Sequence, residues 1–248
     1  MRFGCGTKLG MEIRELTAED IPAAMELSTL AGWNQTPADW LALLENSPEG
    51  CLAIDCDGRL VATTTLVCYE TRLAWVGMVL THPDYRRRGF ARALIEQALA
   101  IANDRSISTI KLDATDQGRP LYAALGFRDE QPVERWGIEV PDAPGERDTP
   151  SFTEPGGYLL HRPGIRAHYL GPCIADESAT AERLLRRAIA EIGAPRYFWD
   201  LLPANQPAIA IAQALGFAPV RRLTRMVMGS NPARDESRIY GIAGFEWG

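Results

Sequence analysis

The chain is poor in the residues on which metal, redox and secreted proteins depend. It has three histidines, His82, His161 and His168, spread too widely for a metal centre. Its five cysteines (Cys5, Cys51, Cys56, Cys68, Cys173) are odd in number and scattered. Cys51 and Cys56 flank a short strand, and no second pair completes a zinc site, so no metal is expected. Thiols kept reduced in a cytoplasm account for this pattern better than a disulfide framework does. No apolar run approaches the roughly 20 residues of a membrane span. The opening Met1-Arg2-Phe3-Gly4 has a positive end with no apolar stretch behind it, which argues against a signal peptide. Residues 1–10 read as a disordered extension. An excess of positive charge is also missing. The net charge of −6 argues against a general nucleic-acid binder. Neither a G-x-x-x-x-G-K-[ST] loop nor a G-x-G-x-x-G turn occurs, which removes two common phosphate-binding solutions.

What remains is a soluble globular composition, 46% apolar and 23% charged, in a chain of 248 residues that suits two small domains. Strand patterning begins at residues 11–15. Thr17 can cap a helix through about residue 29, and Thr36-Pro37 opens a second helix with Trp40, Leu41 and Leu44 as its stripe. Residues 51–55 and 60–69 alternate as strands across the Asp57-Gly58 turn, followed by a fourth strand over 72–80. A helix over 89–102 carries Phe90, Leu94, Ala98 and Ile101 on one face. A strand, a short helix and a further strand then run to residue 140. Helices interleaved with a largely antiparallel sheet give an α+β domain over 11–140. The proline-rich stretch 141–156 reads as a linker to a second, smaller unit over 157–248.

Arg86-Arg87-Arg88-Gly89-Phe90-Ala91 joins the fourth strand to that amphipathic helix. A helix start leaves several N–H groups without partners and carries partial positive charge. Gly89 lets a bulky anion approach the backbone, and the arginines add charge. The combination suits a phosphate cradle, although a basic, solvated helix entry fits the segment equally well when it is taken alone.

The spacing R-x-x-G-x-A after Met78-Val79-Leu80-Thr81-His82-Pro83 resembles the acetyl-CoA signature of the GNAT acyltransferase superfamily. Leu121-Tyr122-Ala123-Ala124-Leu125-Gly126-Phe127 is similar to its second signature. The resemblance implies a GNAT-type mixed, mostly antiparallel sheet and an N-acyltransferase that moves acetyl from acetyl-CoA to a small-molecule amine. It implies that backbone N–H groups of Arg87, Arg88, Gly89, Phe90 and Ala91 hold the pyrophosphate, with Arg86 adding charge nearby. It also implies that the fourth strand splays after Val79, so that Val79, Leu80 and Thr81 meet the pantetheine arm and the Leu80 amide polarises the thioester carbonyl. Ordinary strand pairing is the alternative for those three residues. Tyr122 takes the place of the general acid, since a phenol of pKa about 10 can protonate a thiolate of pKa about 8.5; its alternative is a core aromatic beside Phe127. The fourth strand holds Trp75 where some members carry a carboxylate, which leaves Glu70 and Asp113 as base candidates or as solvated or structural carboxylates. Trp33 and Asn34 lie where members recognise acceptors, and Trp33 is equally a packing residue.

Beyond the linker the pattern repeats. Leu80 and Leu170 stand 90 apart, as do Ala91 and Ala181, Leu94 and Leu184, Ala98 and Ala188, Gly126 and Gly216, and Arg135 and Arg225. The second unit reads as a shortened, degenerate copy, and tandem members of the superfamily have this layout. At the same offset Arg86 becomes Asp176, Arg87 becomes Glu177, Gly89 becomes Ala179 and Tyr122 becomes Ala212. Two carboxylates where cations are needed predict that the copy does not bind CoA. A rival reading is a non-catalytic acyl-CoA sensor, and a third is a protein-interaction scaffold with no CoA binding. A homodimer stays open as an arrangement.

Overall fold

In the computed structural model, which describes residues 12–56, 58–231 and 235–248, twelve strands form one mixed sheet. The first half runs β1 (Glu12–Glu15), α1 (Ile21–Leu30), α2 (Pro37–Asn46), β2 (Cys51–Cys56), β3 (Arg59–Tyr69), β4 (Leu73–Thr81), α3 (Phe90–Asp104), β5 (Thr109–Ala114), α4 (Arg119–Ala124) and β6 (Arg128–Glu139). The second runs β7 (Phe152–Glu154), β8 (Gly157–Arg162), β9 (His168–Ala175), α5 (Ser178–Ile192), β10 (Arg196–Leu201), α6 (Gln206–Ala214), β11 (Ala218–Gly229) and β12 (Ile239–Gly241). The extension expected over residues 1–10 lies outside the described residues. Among those described, no helix is long and apolar enough to cross a membrane.

Local chemistry explains the first elements. Thr36 and Asp39 form a capping box, the Thr36 hydroxyl accepting from the Asp39 N–H (3.3 Å) and the Asp39 carboxylate from the Thr36 N–H (2.7 Å), with Pro37 at the first helical position. Thr17 pairs with Asp20 in the same way, but around a single 3-10 turn, so α1 begins at Ile21. Helices α1 and α2 cover one face of the first-half sheet through Leu27, Trp40 and Leu43. Helix α3 covers the other through Phe90, Leu94 and Ile95. In the second half Leu184, Leu185 and Ala188 of α5 pack with Tyr197 and Trp199 of β10.

The strand order is β1-β2-β3-β4-β5-β11-β6-β10-β9-β8-β7, with β12 added against β9. Only β4/β5 and β9/β10 pair in parallel; the other described pairs are antiparallel. Each half therefore gives its last long strand to the other: β11 lies beside β5, and β6 lies beside β10. Trp136 of β6 is buried in the second-half core, and Met226 of β11 in the first-half core. The units read from sequence as 11–140 and 157–248 thus share one continuous sheet. Within the stretch read as a linker, β7 forms an edge strand whose Phe152 is 2% exposed.

The repeat keeps its register in some elements and loses it in others. Buried Phe90, Leu94, Ile95, Ala98 and Ala102 of α3 match Thr180, Leu184, Leu185, Ala188 and Ile192 of α5 at a difference of 90. In the forked strands Asp113 faces Arg225 and Asp200 faces Arg135, so β5 and β10 differ by 87 (200 − 113). Ile110 then answers to Tyr197, and their parallel partners Ala74 and His168 differ by 94 (168 − 74). The expected equivalence of Leu80 with Leu170 is therefore corrected: Leu170 answers to Val76 (170 − 76 = 94). The strand-to-helix loop is four residues shorter in the copy (94 − 90).

Candidate active site

Strand β4 pairs with β5 only from Leu73 to Trp75, against Thr109 to Lys111, and then leaves it. The fork opens four residues earlier than the splay expected after Val79. On its other side β4 stays pinned to β3 through a bulge at Thr63–Thr65, which puts Met78 at φ 49°. The Thr63 hydroxyl donates to the Met78 carbonyl (2.8 Å) and the Thr64 hydroxyl to that of Gly77 (3.3 Å). A cavity of about 640 Å³ fills the fork, and Val79, Leu80 and Thr81 line it.

One wall is the start of α3. His82 caps a 3-10 turn over Pro83–Tyr85, its Nδ1 accepting from the Asp84 N–H (3.3 Å). Arg87 then takes φ 61° and Gly89 φ 89°, left-handed backbone that glycine adopts freely and arginine does not. No side chain caps α3. Among the described residues, the backbone N–H groups from Arg87 to Arg92 find no acceptor, the first helical bond being Ala93 N–H to Gly89 C=O (3.0 Å). Arg86, Arg87, Gly89, Phe90 and Ala91 line the cavity. The Arg88 side chain turns away from it, leaving only its backbone N–H for the expected role. Its guanidinium lies over the Tyr85 ring (4.8 Å) and donates to the Asp84 carbonyl (3.0 Å), which holds it away from the cavity wall.

The corresponding place in the copy is closed. Only Asp176 and Glu177 separate β9 from α5. Asp176 is ion-paired with Arg238, and its N–H donates to Gly156 (2.7 Å). Strand β12 pairs with β9 where that strand has left β10, with Gly241 against the Trp199 indole and the Ile242 N–H donating to the Asp200 carbonyl (3.1 Å). Charge reversal was the difference read from sequence; the shorter loop and the strand in the fork are further differences from the first half.

Tyr122 of α4 lines the cavity and stacks edge-on against Phe127 (6.1 Å). Burial pushes its hydroxyl above the usual phenol value, and among the described residues that hydroxyl has no hydrogen-bond partner.

The remaining wall joins both halves. Trp33 lines it, but Asn34 does not, which corrects its expected substrate role. The Asn34 carboxamide is used structurally: Oδ1 accepts from the N–H groups of Arg166 (2.9 Å) and Ala167 (3.0 Å), and Nδ2 donates to the Ala167 carbonyl (2.9 Å). The next residue, Gln35, faces the cavity instead and donates from Nε2 to Glu246 Oε2 (3.1 Å). Glu246 is 2% exposed and is brought in by the tail. Trp75 Nε1 holds the Phe245 carbonyl (2.8 Å), and the Tyr69 hydroxyl holds that of Trp247 (2.6 Å).

Glu70 is corrected as a base. It sits exposed in the β3–β4 turn, and from Leu73, which faces Tyr69, to Leu80 the strand climbs about 23 Å at ~3.3 Å per residue. The acidic residues at the cavity wall, among those described, are Asp113 and Glu246. Asp113 is committed to Arg225 through a buried two-pronged ion pair (2.9 and 3.0 Å).

Comparison with known proteins agrees with this architecture. Residues 13–127 match the family model described as acetyltransferase (GNAT) family, and residues 151–241 match that described as acetyltransferase (GNAT) domain. A Bacillus subtilis protein named uncharacterized N-acetyltransferase YitH is 25% identical over 125 residues, 50% of this chain and 43% of that protein. The Schizosaccharomyces pombe UPF0039 protein C11D3.02c is 32% identical over 74 residues, 29% of this chain and 49% of that protein. The chain thus spans about half the length, or less, of these curated relatives. A Pyrococcus horikoshii crystal structure, described provisionally as an acetyltransferase, superposes with a TM-score of 0.82 at 22% identity, covering 99% of this chain and 98% of its own. A tandem GNAT protein from the clavulanic acid biosynthesis pathway superposes at 0.67 and 17% identity, covering 90% and 100%. At these identities the structures establish the shared fold.

Proposed function

The chain belongs to the GNAT acetyltransferase family, and from that premise we propose that it moves an acetyl group from acetyl-CoA to the amine of a small molecule in a ternary complex. One observation carries the reading. Six consecutive backbone N–H groups, Arg87 to Arg92, lack acceptors among the described residues, and all of these residues but Arg88 line the same cavity as Tyr122. Those donors at a positively polarised helix start, with Arg86 and Arg87 beside them, suit a diphosphate. The open edge of β4 at Val79, Leu80 and Thr81 suits an extended amide-bearing arm.

When bound, the donor supplies a thioester carbonyl already activated toward amines. Leu80 pairs with Thr63 in the same β3 ladder in which the His82 N–H donates to the Val61 carbonyl (2.8 Å), so its amide is turned to β3. The flanking amides of Val79 and Thr81 are the ones left at the open edge for the carbonyl oxygen, a contribution of about 3–4 kcal/mol where such a donor is preorganised. Tyr122, kept protonated by burial, gives its proton to the departing sulfur as the carbon–sulfur bond breaks and the carbon–nitrogen bond forms. The proton lost by the amine leaves through the cavity, where Glu246, although paired with Arg162 and Gln35, keeps acceptor capacity. The second half supplies walls (Arg221, Leu223, Glu246) rather than a second donor site.

The test is release of free thiol from acetyl-CoA by the full chain against a panel of amines, amino acids and polyamines, with the acetylated product identified by mass. Amine-dependent thiol release with one acetyl per thiol supports the reading. Tight CoA binding with no transfer to any amine overturns it in favour of a sensor.

A further inference from the structure

The cavity wall opposite the α3 start carries an unbalanced set of polar groups. Arg221 of β11 lines it with no carboxylate at ion-pair distance and no hydrogen bond among the described residues. Its neighbours are all committed: Arg135 to Asp200, Arg225 to Asp113, and Arg162 to Asp39 and Glu246. Burial and the positive charge of Arg135 push the Arg221 pKa down, and the Asp200 carboxylate, already paired with Arg135, offsets only part of this. Arg221 is half-buried, and a partly desolvated guanidinium without an ion-pair partner gains from an anion placed beside it.

A second orphan lines the same cavity. Gln35 is 6% exposed, and its Oε1 is buried with no hydrogen-bond partner, while its Nε2 is spent on Glu246. The Glu246 carboxylate beside it accepts from Gln35 and Arg162 and retains lone pairs. Two acceptor groups therefore await a donor, and one cation awaits an anion.

Strand geometry puts these groups on the acceptor's side. Side chains alternate along β11, so Arg221, Leu223 and Arg225 share a face opposite Met226, which packs in the core under α3. Arg225 on that face lies over Trp75, the residue that anchors the tail bearing Glu246.

Building on the acyl-transfer reading above, the geometry points to an acceptor that is a zwitterion: an amine carrying a carboxylate, of the amino-acid or short-peptide class. Its ammonium donates to Gln35 Oε1 and Glu246, and its carboxylate takes the two-pronged guanidinium of Arg221. The apolar lining from Leu27, Leu30, Trp33, Leu223 and Phe245 favours an apolar side chain.

The test is calorimetric titration of the full chain, saturated with CoA, by leucine and phenylalanine and by their carboxamides and decarboxylated amines. The acids are expected to bind about ten- to a hundredfold more tightly than the amides and amines. Arg221→Met is expected to remove that difference while folding normally, because it deletes an unpaired cation. Gln35→Leu is expected to weaken amides and acids alike. Equal binding of acid and amide by the unmodified chain overturns the inference, as does a preference that survives Arg221→Met or a failure of every zwitterion to bind. None of these outcomes depends on turnover, so thiol release from acetyl-CoA reports separately on the acyl-transfer reading.

Discussion

Arg225 of β11 and Asp113 of β5 form a two-pronged ion pair (2.9 and 3.0 Å) between strands contributed by different halves of the chain. Arg135 of β6 and Asp200 of β10 form its counterpart (2.7 Å at both prongs), so the exchange of strands is bolted twice. All four side chains are buried, Asp113 and Asp200 with no exposure at all. The Arg225 bolt lies over Trp75, which holds the tail that brings Glu246 into the cavity. Fold and site are thus tied at one point.

Removing one partner strands a buried charge. Arg225→Met is expected to cost about 3–5 kcal/mol, while pairing it with Asp113→Leu recovers most of that loss, since an apolar pair does not need the ion pair. Urea unfolding of the single and double variants checks this, and a single variant as stable as the parent contradicts the bolt.

A fragment ending at residue 140 lacks β11, leaving β5 with an open edge and Asp113 without its guanidinium. It is expected to aggregate or to stay unfolded, and adding the fragment 141–248 during refolding is expected to restore the native circular dichroism. A soluble, cooperatively folding 1–140 fragment contradicts the strand exchange.

The hydroxyl of Tyr122 bears on pH dependence. Its acid form is favoured by burial, so the raised pKa keeps the proton in place beyond the usual phenol range near 10. As pH rises the neutral fraction of an amine acceptor grows, so kcat/KM is expected to climb with no downturn below about pH 10. Tyr122→Phe is expected to lower kcat by ~10²–10⁴ with CoA affinity kept. A pH–rate maximum near neutrality, or a Phe variant of normal rate, removes Tyr122 as the acid.

The parts of this molecule that depend on near neighbours in sequence were legible. The Gly89 turn, the α3 stripe and the Tyr122–Phe127 corner are each written within a few residues, because helical spacing and turn chemistry are local. The strand exchange was not, since β6 and β11 carry the same pattern at a constant offset, Arg135 matching Arg225, and either strand suits either place. Asn34 and Gln35 show how fine the distinction is. Adjacent amides were separated into staple and site by a loop over 130 residues away, Arg166 and Ala167. Glu246 was missed because the tail is positioned by Trp75 and Tyr69, which no local signal couples to it. The duplicated acid, Asp113 and Asp200, was the one available hint of interlocked halves. Because their offset is 87 rather than 90, a search at a single offset passes over it.

The account's central claim is that one chain offers one donor site, built from the amides past Arg86, and that its copy offers none. Calorimetric titration of the full chain with CoA tests it most directly. The account predicts one CoA per chain, an affinity reduced at least about tenfold by Arg86→Glu with Gly89→Glu, and no change with Asp176→Ala. Two bound CoA per chain, or equal losses from substitutions in the two halves, contradicts it.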